Sequence, residues 1–240
     1  MNRLIIGGVA ALIATGALTT TAVVAKEKSK TTFFITSVGP GKGGDLGGLK
    51  GADAWCQKLA TEAGIGDHAW KAYLSSTDAK GKALNARDRI GKGPWFNAKG
   101  VQIASSLDDL HSEAALTGKA GSLDEKGSPV KGRGDSPNQH DIMTGSLTDG
   151  RLAPPVASPL PANAPAGTPA PVAPENLTCN NWTSSGPNRT MAGHHDRIGG
   201  GQNPTSWNSA HQTRSCAQPD LVATGGAGLF YCFAIKSRAG

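Results

Sequence analysis

Histidine and aspartate gather at two places in this chain. His194-His195-Asp196 is followed by Trp207, Asn208 and His211, so three of the six histidines fall within residues 194–211. His140-Asp141 stands earlier, just ahead of a strand-like run that begins at Asp141. Neutral imidazoles beside a carboxylate are zinc-type ligands. Together with the Asn208 amide and the Trp207 face, the same groups suit hydrogen bonding to and stacking on a sugar. They also suit a buried His/Asp/Asn network that holds a strand-poor loop in shape. The candidate ligand site is therefore His140, Asp141, His194, His195, Asp196, Trp207, Asn208 and His211. No cofactor is expected there, and neither calcium nor zinc.

Catalytic signatures are missing. The chain has no GxSxG, no HExxH and no Ser-x-x-Lys with its companion motifs. A His/Asp pair can serve a serine, so a hydrolase built on His194, Asp196 and His211 stands as an alternative. No residue is assigned a catalytic role. Arg133-Gly134-Asp135 sits among Gly132 and Pro137 and reads as turn chemistry. The Gly-x-Gly pairs of residues 39–48 lack the Lys-Ser/Thr of a phosphate loop and read as a plain loop.

The elements that must position these residues come from a glycine-rich chain. Of 240 residues, 33 are glycine, which favours tight turns over long helices. Twelve aromatics (5 Trp, 2 Tyr, 5 Phe) suffice to centre a core. The formal charge of +6 is spread among Gly and Asp with no dense basic block, so no nucleic-acid partner is expected.

Residues 1–25 read as a secretory signal. A short positive start at Arg3 leads into the apolar run 4–18, and Val23-Val24-Ala25 supplies small residues before Lys26. The mature chain, residues 26–240, is expected in the periplasm or outside the cell, with no membrane span after cleavage. Cys56, Cys179, Cys216 and Cys232 all lie in that part, an even count that reads as disulfides in an oxidising compartment. Four cysteines allow three pairings, and spacing alone does not choose among them.

Along the chain, residues 32–36 form an apolar, β-prone opening strand. Leu49, Ala52, Cys56, Leu59, Ala60 and Ala63 recur at helical spacing, and Gly64 stops the helix. Residues 70–74 read as a strand, 83–90 as a short helix, 94–97 as a turn and 101–103 as a strand. Residues 107–110 start a helical turn, and 141–146 form a strand ending at Asp149-Gly150. Residues 151–174 hold eight prolines and are expected to be an extended, mobile insertion. Residues 228–235 are the most strand-like run and suit a central strand. The helix at 49–63 needs that sheet, so one domain with a long internal loop is expected.

The cysteine-bearing segments resemble the endostatin domain, a relative of the C-type lectin-like fold. Gly51-Ala52-Asp53-Ala54-Trp55-Cys56 resembles that family's opening helix, and Ala72-Tyr73-Leu74-Ser75-Ser76 its next strand. Thr144-Gly145-Ser146 with Asp149-Gly150 is similar to its central strand and turn. Cys179-Asn180-Asn181-Trp182, Ser215-Cys216 and Leu229-Phe230-Tyr231-Cys232 match its remaining segments. The resemblance also extends to exported bacterial lectin-like proteins. It implies an α+β, C-type lectin-like (endostatin-like) single domain with nested bridges, Cys56–Cys232 and Cys179–Cys216. The calcium motif of such lectins is incomplete, since Trp207-Asn208 is followed by Ser209 where a carboxylate belongs. The expected function is an exported, non-catalytic module that binds an extracellular glycan or envelope polysaccharide. A structural or adhesive envelope protein without a small-ligand site is the other alternative.

Overall fold

The helical spacing of residues 49–63 is realised. After β1 (Phe33–Ile35) comes helix α1 (Gly48–Glu62), whose face of Ala52, Cys56, Leu59 and Ala60 is buried. The computed structural model describes residues 29–156 and 174–237. The expected signal, residues 1–25, and the heart of the Pro-rich stretch, residues 157–173, lie outside the described residues.

The chain continues through β2 (His68–Ala72), β3 (Ser76–Thr77), β4 (Ala83–Leu84), α2 (Ala86–Arg89), β5 (Trp95–Phe96), β6 (Gln102–Ala104) and α3 (Leu107–Leu110). Then come β7 (Asp141–Met143), the turn α4 (Cys179–Trp182), β8 (Met191–His194), β9 (His211–Gln212), α5 (Gln218–Ala223) and β10 (Tyr231–Ser237). The architecture is α+β, with small antiparallel sheets ordered β1-β10-β2, β3-β4, β5-β6 and β7-β8-β9. Among the described residues, no helix is long and apolar enough to cross a membrane.

Strand β10 is central in its sheet, between β1 and β2. Its apolar run is continuous because both faces of the sheet are covered. Phe34 and Cys232 join Cys56, Leu59, Trp70 and Trp182 on the α1 side. Phe33, Ile35, Tyr231 and Phe233 point the other way, onto Tyr73, Trp95, Ile103 and Trp207. A strand buried on both faces shows no polar alternation. Two disulfides tie the layers, Cys56–Cys232 and Cys179–Cys216, the pairing implied by the endostatin resemblance.

Two expectations shift. The helix read at 83–90 splits, because Ala83–Leu84 pair with Ser76–Thr77 and only Ala86–Arg89 turn helical. The turn read at 94–97 contains β5, which pairs with β6. Segment α4 is a left-handed turn, with Cys179, Asn180, Asn181 and Trp182 at φ 49°, 53°, 56° and 65°. Such a backbone costs about 1–2 kcal/mol per non-glycine residue. It is held by the Cys179 bridge, by the Asn181 side-chain Oδ1 accepting from Ser76 Oγ and Thr77 N, and by Trp182 Nε1 donating to the Ser75 carbonyl. Residues on both sides of the Pro-rich stretch share one sheet, and its ends meet where Val156 and Glu175 exchange backbone hydrogen bonds.

Candidate functional site

Three strands position the cluster: β7 carries Asp141, β8 His194 and β9 His211. Asp141 on β7 pairs directly with His194 on β8, and His211 on β9 pairs with Ala192, two residues before His194. Directly opposed and diagonal positions share a face, so Asp141, His194 and His211 project together. His140 precedes β7, outside the strand's alternation, and its ring stacks on that of His194 at 4.4 Å and 6°.

The four side chains converge on one oxygen. Nε2 of His140, His194 and His211 lie 3.3, 3.4 and 3.3 Å from Asp141 Oδ1. Ligand atoms of His140, Asp141 and His194 all fall within 4.8 Å of one another. The outer ring nitrogens face backbone carbonyls: His140 Nδ1 that of Ile198 at 3.1 Å, His194 Nδ1 that of Pro204 at 2.8 Å, His211 Nδ1 that of Gln212 at 3.0 Å. Burial pushes the Asp141 carboxyl up, but the imidazoles of His194, His211 and His140 outweigh it and hold the group at about 2. Asp141 in turn raises the pKa of His211. For His140, burial lowers the pKa, and Asp196 and Asp141 more than reverse it.

His195 and Asp196 take no direct part. His195 is buried, with Nε2 against the Lys131 carbonyl at 3.1 Å, and burial lowers its pKa. Asp196 accepts from the Arg133 and Ile198 amides and stands 3.4 Å behind His140 Nδ1. The hydrolase trio of His194, Asp196 and His211 therefore does not assemble: His194 and His211 share Asp141, whereas Asp196 serves His140.

Trp207 and Asn208 lie elsewhere. Trp207 is 2% exposed, its ring packed against Tyr73 and Tyr231, so it presents no open face for a sugar to stack on. The Asn208 amide is also buried and donates to Tyr73 Oη and to the Leu147 and Thr148 carbonyls at 2.9, 3.0 and 3.2 Å. The buried-network reading describes these two positions. Asn208→Ala is expected to cost about 1–3 kcal/mol, because it strands these buried acceptors. Urea unfolding checks this, and a loss below about 0.5 kcal/mol would show that the network holds nothing.

Above them opens a polar groove of about 290 Å³. Its walls include Glu113, Arg197, Gln202, Asn203, Thr205 and Ser206, with Trp207 and Asn208 beneath. Arg197 crosses from residue 197 to the 112–117 segment, pairing with Glu113 Oε2 at 3.0 Å and donating to Thr117 Oγ1 at 2.9 Å. None of these wall residues stands out in the sequence. The only available signal was the polar run Gln202-Asn203-Pro204-Thr205-Ser206 just before Trp207. No protein-family model matches the chain, and no curated protein matches it.

Proposed function

We propose that this chain is an exported, endostatin-like and C-type lectin-like module that binds an extracellular or envelope glycan in the Glu113–Arg197 groove. The observation that carries the reading is the groove itself. It offers hydroxyl, amide, carboxylate and guanidinium groups around a floor fixed by the Asn208 and Tyr73 hydrogen bonds. Paired sugar hydroxyls need such a mixture of donors and acceptors, held in place before the ligand arrives. The fold part of the reading is supported by the order of cysteine segments and by their nested pairing. Export is supported by the signal-like start and by the two disulfides. The recognition surface differs from the one expected from sequence: His140, Asp141, His194, His195, Asp196 and His211 do not line this groove.

The double variant Glu113→Ala/Gln202→Ala tests it. Both residues are exposed, so stability should stay within about 1 kcal/mol of wild type. Binding on a glycan array, or to isolated envelope polysaccharide, should fall at least tenfold. Undiminished binding by the variant, or a wild type that binds none of these ligands, sinks the proposal.

A further inference from the structure

We propose that His140, Asp141 and His194 bind a zinc-class divalent cation that draws in His211 as a fourth ligand and so cross-links β7, β8 and β9. This is independent of the glycan reading and departs from the sequence expectation of a metal-free protein. The first support is the proton count. A carbonyl only accepts, so each Nδ1 that faces Ile198, Pro204 or Gln212 carries the ring proton. In its neutral form, the form that ligates a metal, each ring then turns a bare Nε2 lone pair inward. With the rings neutral, three lone pairs and a carboxylate meet there with no donor among them.

The second support is the orphaned anion. Asp141 is 4% exposed, and neither of its carboxylate oxygens has a hydrogen-bond partner. Buried polar groups are satisfied as a rule, and a buried charge is paired or binds metal. Protonating all three rings is a poor substitute, because His140 and His194 stack at 4.4 Å and two imidazolium charges would repel there.

The third support is spacing. Donors about 2.0–2.1 Å from a tetrahedral zinc ion lie about 3.3–3.4 Å from each other. The three Nε2 atoms stand 3.3, 3.4 and 3.3 Å from Asp141 Oδ1, and the ligand atoms of His140, Asp141 and His194 lie within 4.8 Å of one another, so the His211 ring has to move inward to complete the tetrahedron. The outer shell fits as well, since metal-ligating histidines give their second N–H to a carbonyl or carboxylate. Asp196 stands behind His140 in that role. Glycines clamp the rings: a Cβ at Gly199 would lie 2.1 Å from His194 Cε1, and one at Gly225 would lie 3.1 Å from His140 Cδ2.

With His211 drawn in, four protein ligands leave no open position, and the cation is structural. It joins three short strands to residues 198–204, whose carbonyls orient two of the rings. His211, with its side chain 28% exposed, is the most accessible ligand. It borders a groove with Gln212, Thr213, Arg214 and Thr224, which provides an entry path.

The test uses the full exported chain with its disulfides intact, stripped with chelator and then dialysed free of it. Elemental analysis after zinc loading should find one zinc per chain. At about 100 times the dissociation constant, zinc should raise the melting temperature by roughly 5–10 °C, and chelator should reverse the shift. His211→Ala should abolish the shift, as should the near-isosteric Asp141→Asn, whereas His68→Gln, outside the cluster, should keep it. A wild type that neither holds zinc nor shifts overturns the proposal. So does a shift retained by both His211→Ala and Asp141→Asn, or uptake of copper with no uptake of zinc.

Discussion

Replacing Cys56 and Cys232 together with alanine should destabilise the protein by about 5 kcal/mol, the largest single effect expected in this chain. The bridge joins α1 to β10 across a sequence separation of 176 residues. In the chain-entropy account, a closed loop of that length restricts the unfolded chain by about 5 kcal/mol, against about 4 for the 37-residue separation of Cys179 and Cys216. Both Cys56 and Cys232 are fully buried between the helix and the sheet, so lost packing adds to the entropic term. For a domain of this size the melting temperature should fall by roughly 10–20 °C. Calorimetry of wild type and double variant checks it. A fall of less than about 4 °C would mean that β1, β10 and β2 hold the helix without the bridge.

The second large effect is expected at Trp207. Trp207→Ala should cost about 3–5 kcal/mol, the range for emptying a large aromatic from a core. The indole packs among Tyr73, Tyr231 and His111, and its Nε1 donates to the Leu110 carbonyl at 3.1 Å. The Trp207 carbonyl accepts from Tyr231 Oη at 2.6 Å, so the same residue fixes two core groups. Trp207→Phe should recover much of the packing and leave the Leu110 carbonyl unpaired, at a cost of about 1–3 kcal/mol. Denaturant unfolding separates this from a sugar-stacking role. A Trp207→Ala protein as stable as wild type would place the indole at a surface, against its position under the groove.

The legible parts of the fold were those with local periodicity. The spacing from Leu49 to Ala63 is a helix whatever packs on it, because 3.6-residue periodicity alone defines the buried face. Residues 228–235 read as a central strand because a run apolar at every position suits only burial on both sides. Elements of two to four residues carry too little pattern. Ala83-Leu84 has helical local preference, and its pairing with Ser76-Thr77 makes it a strand. Helix α5 carries a legible start signal, Pro219 in its first turn and Asp220 beside it.

The site divides along the same line. By itself the sequence determined which side chains could do chemistry: His140, Asp141, His194 and His211 were all among the candidates on residue type and local clustering. It also determined the even cysteine count, and the endostatin resemblance supplied the pairing. Only the tertiary structure decided who faces whom. His194 and His195 are neighbours in sequence, yet β8 ends between them, and one ring goes to Asp141 and the other to the Lys131 carbonyl. Asp196 and Asp141 exchange the roles their spacing suggested, because the β7–β8 register places Asp141, and not Asp196, across from His194. Trp207 and Asn208 turn into the core for the same kind of reason. Long-range register is set by packing between segments far apart in the chain, and no local window of sequence contains both sides of that contact.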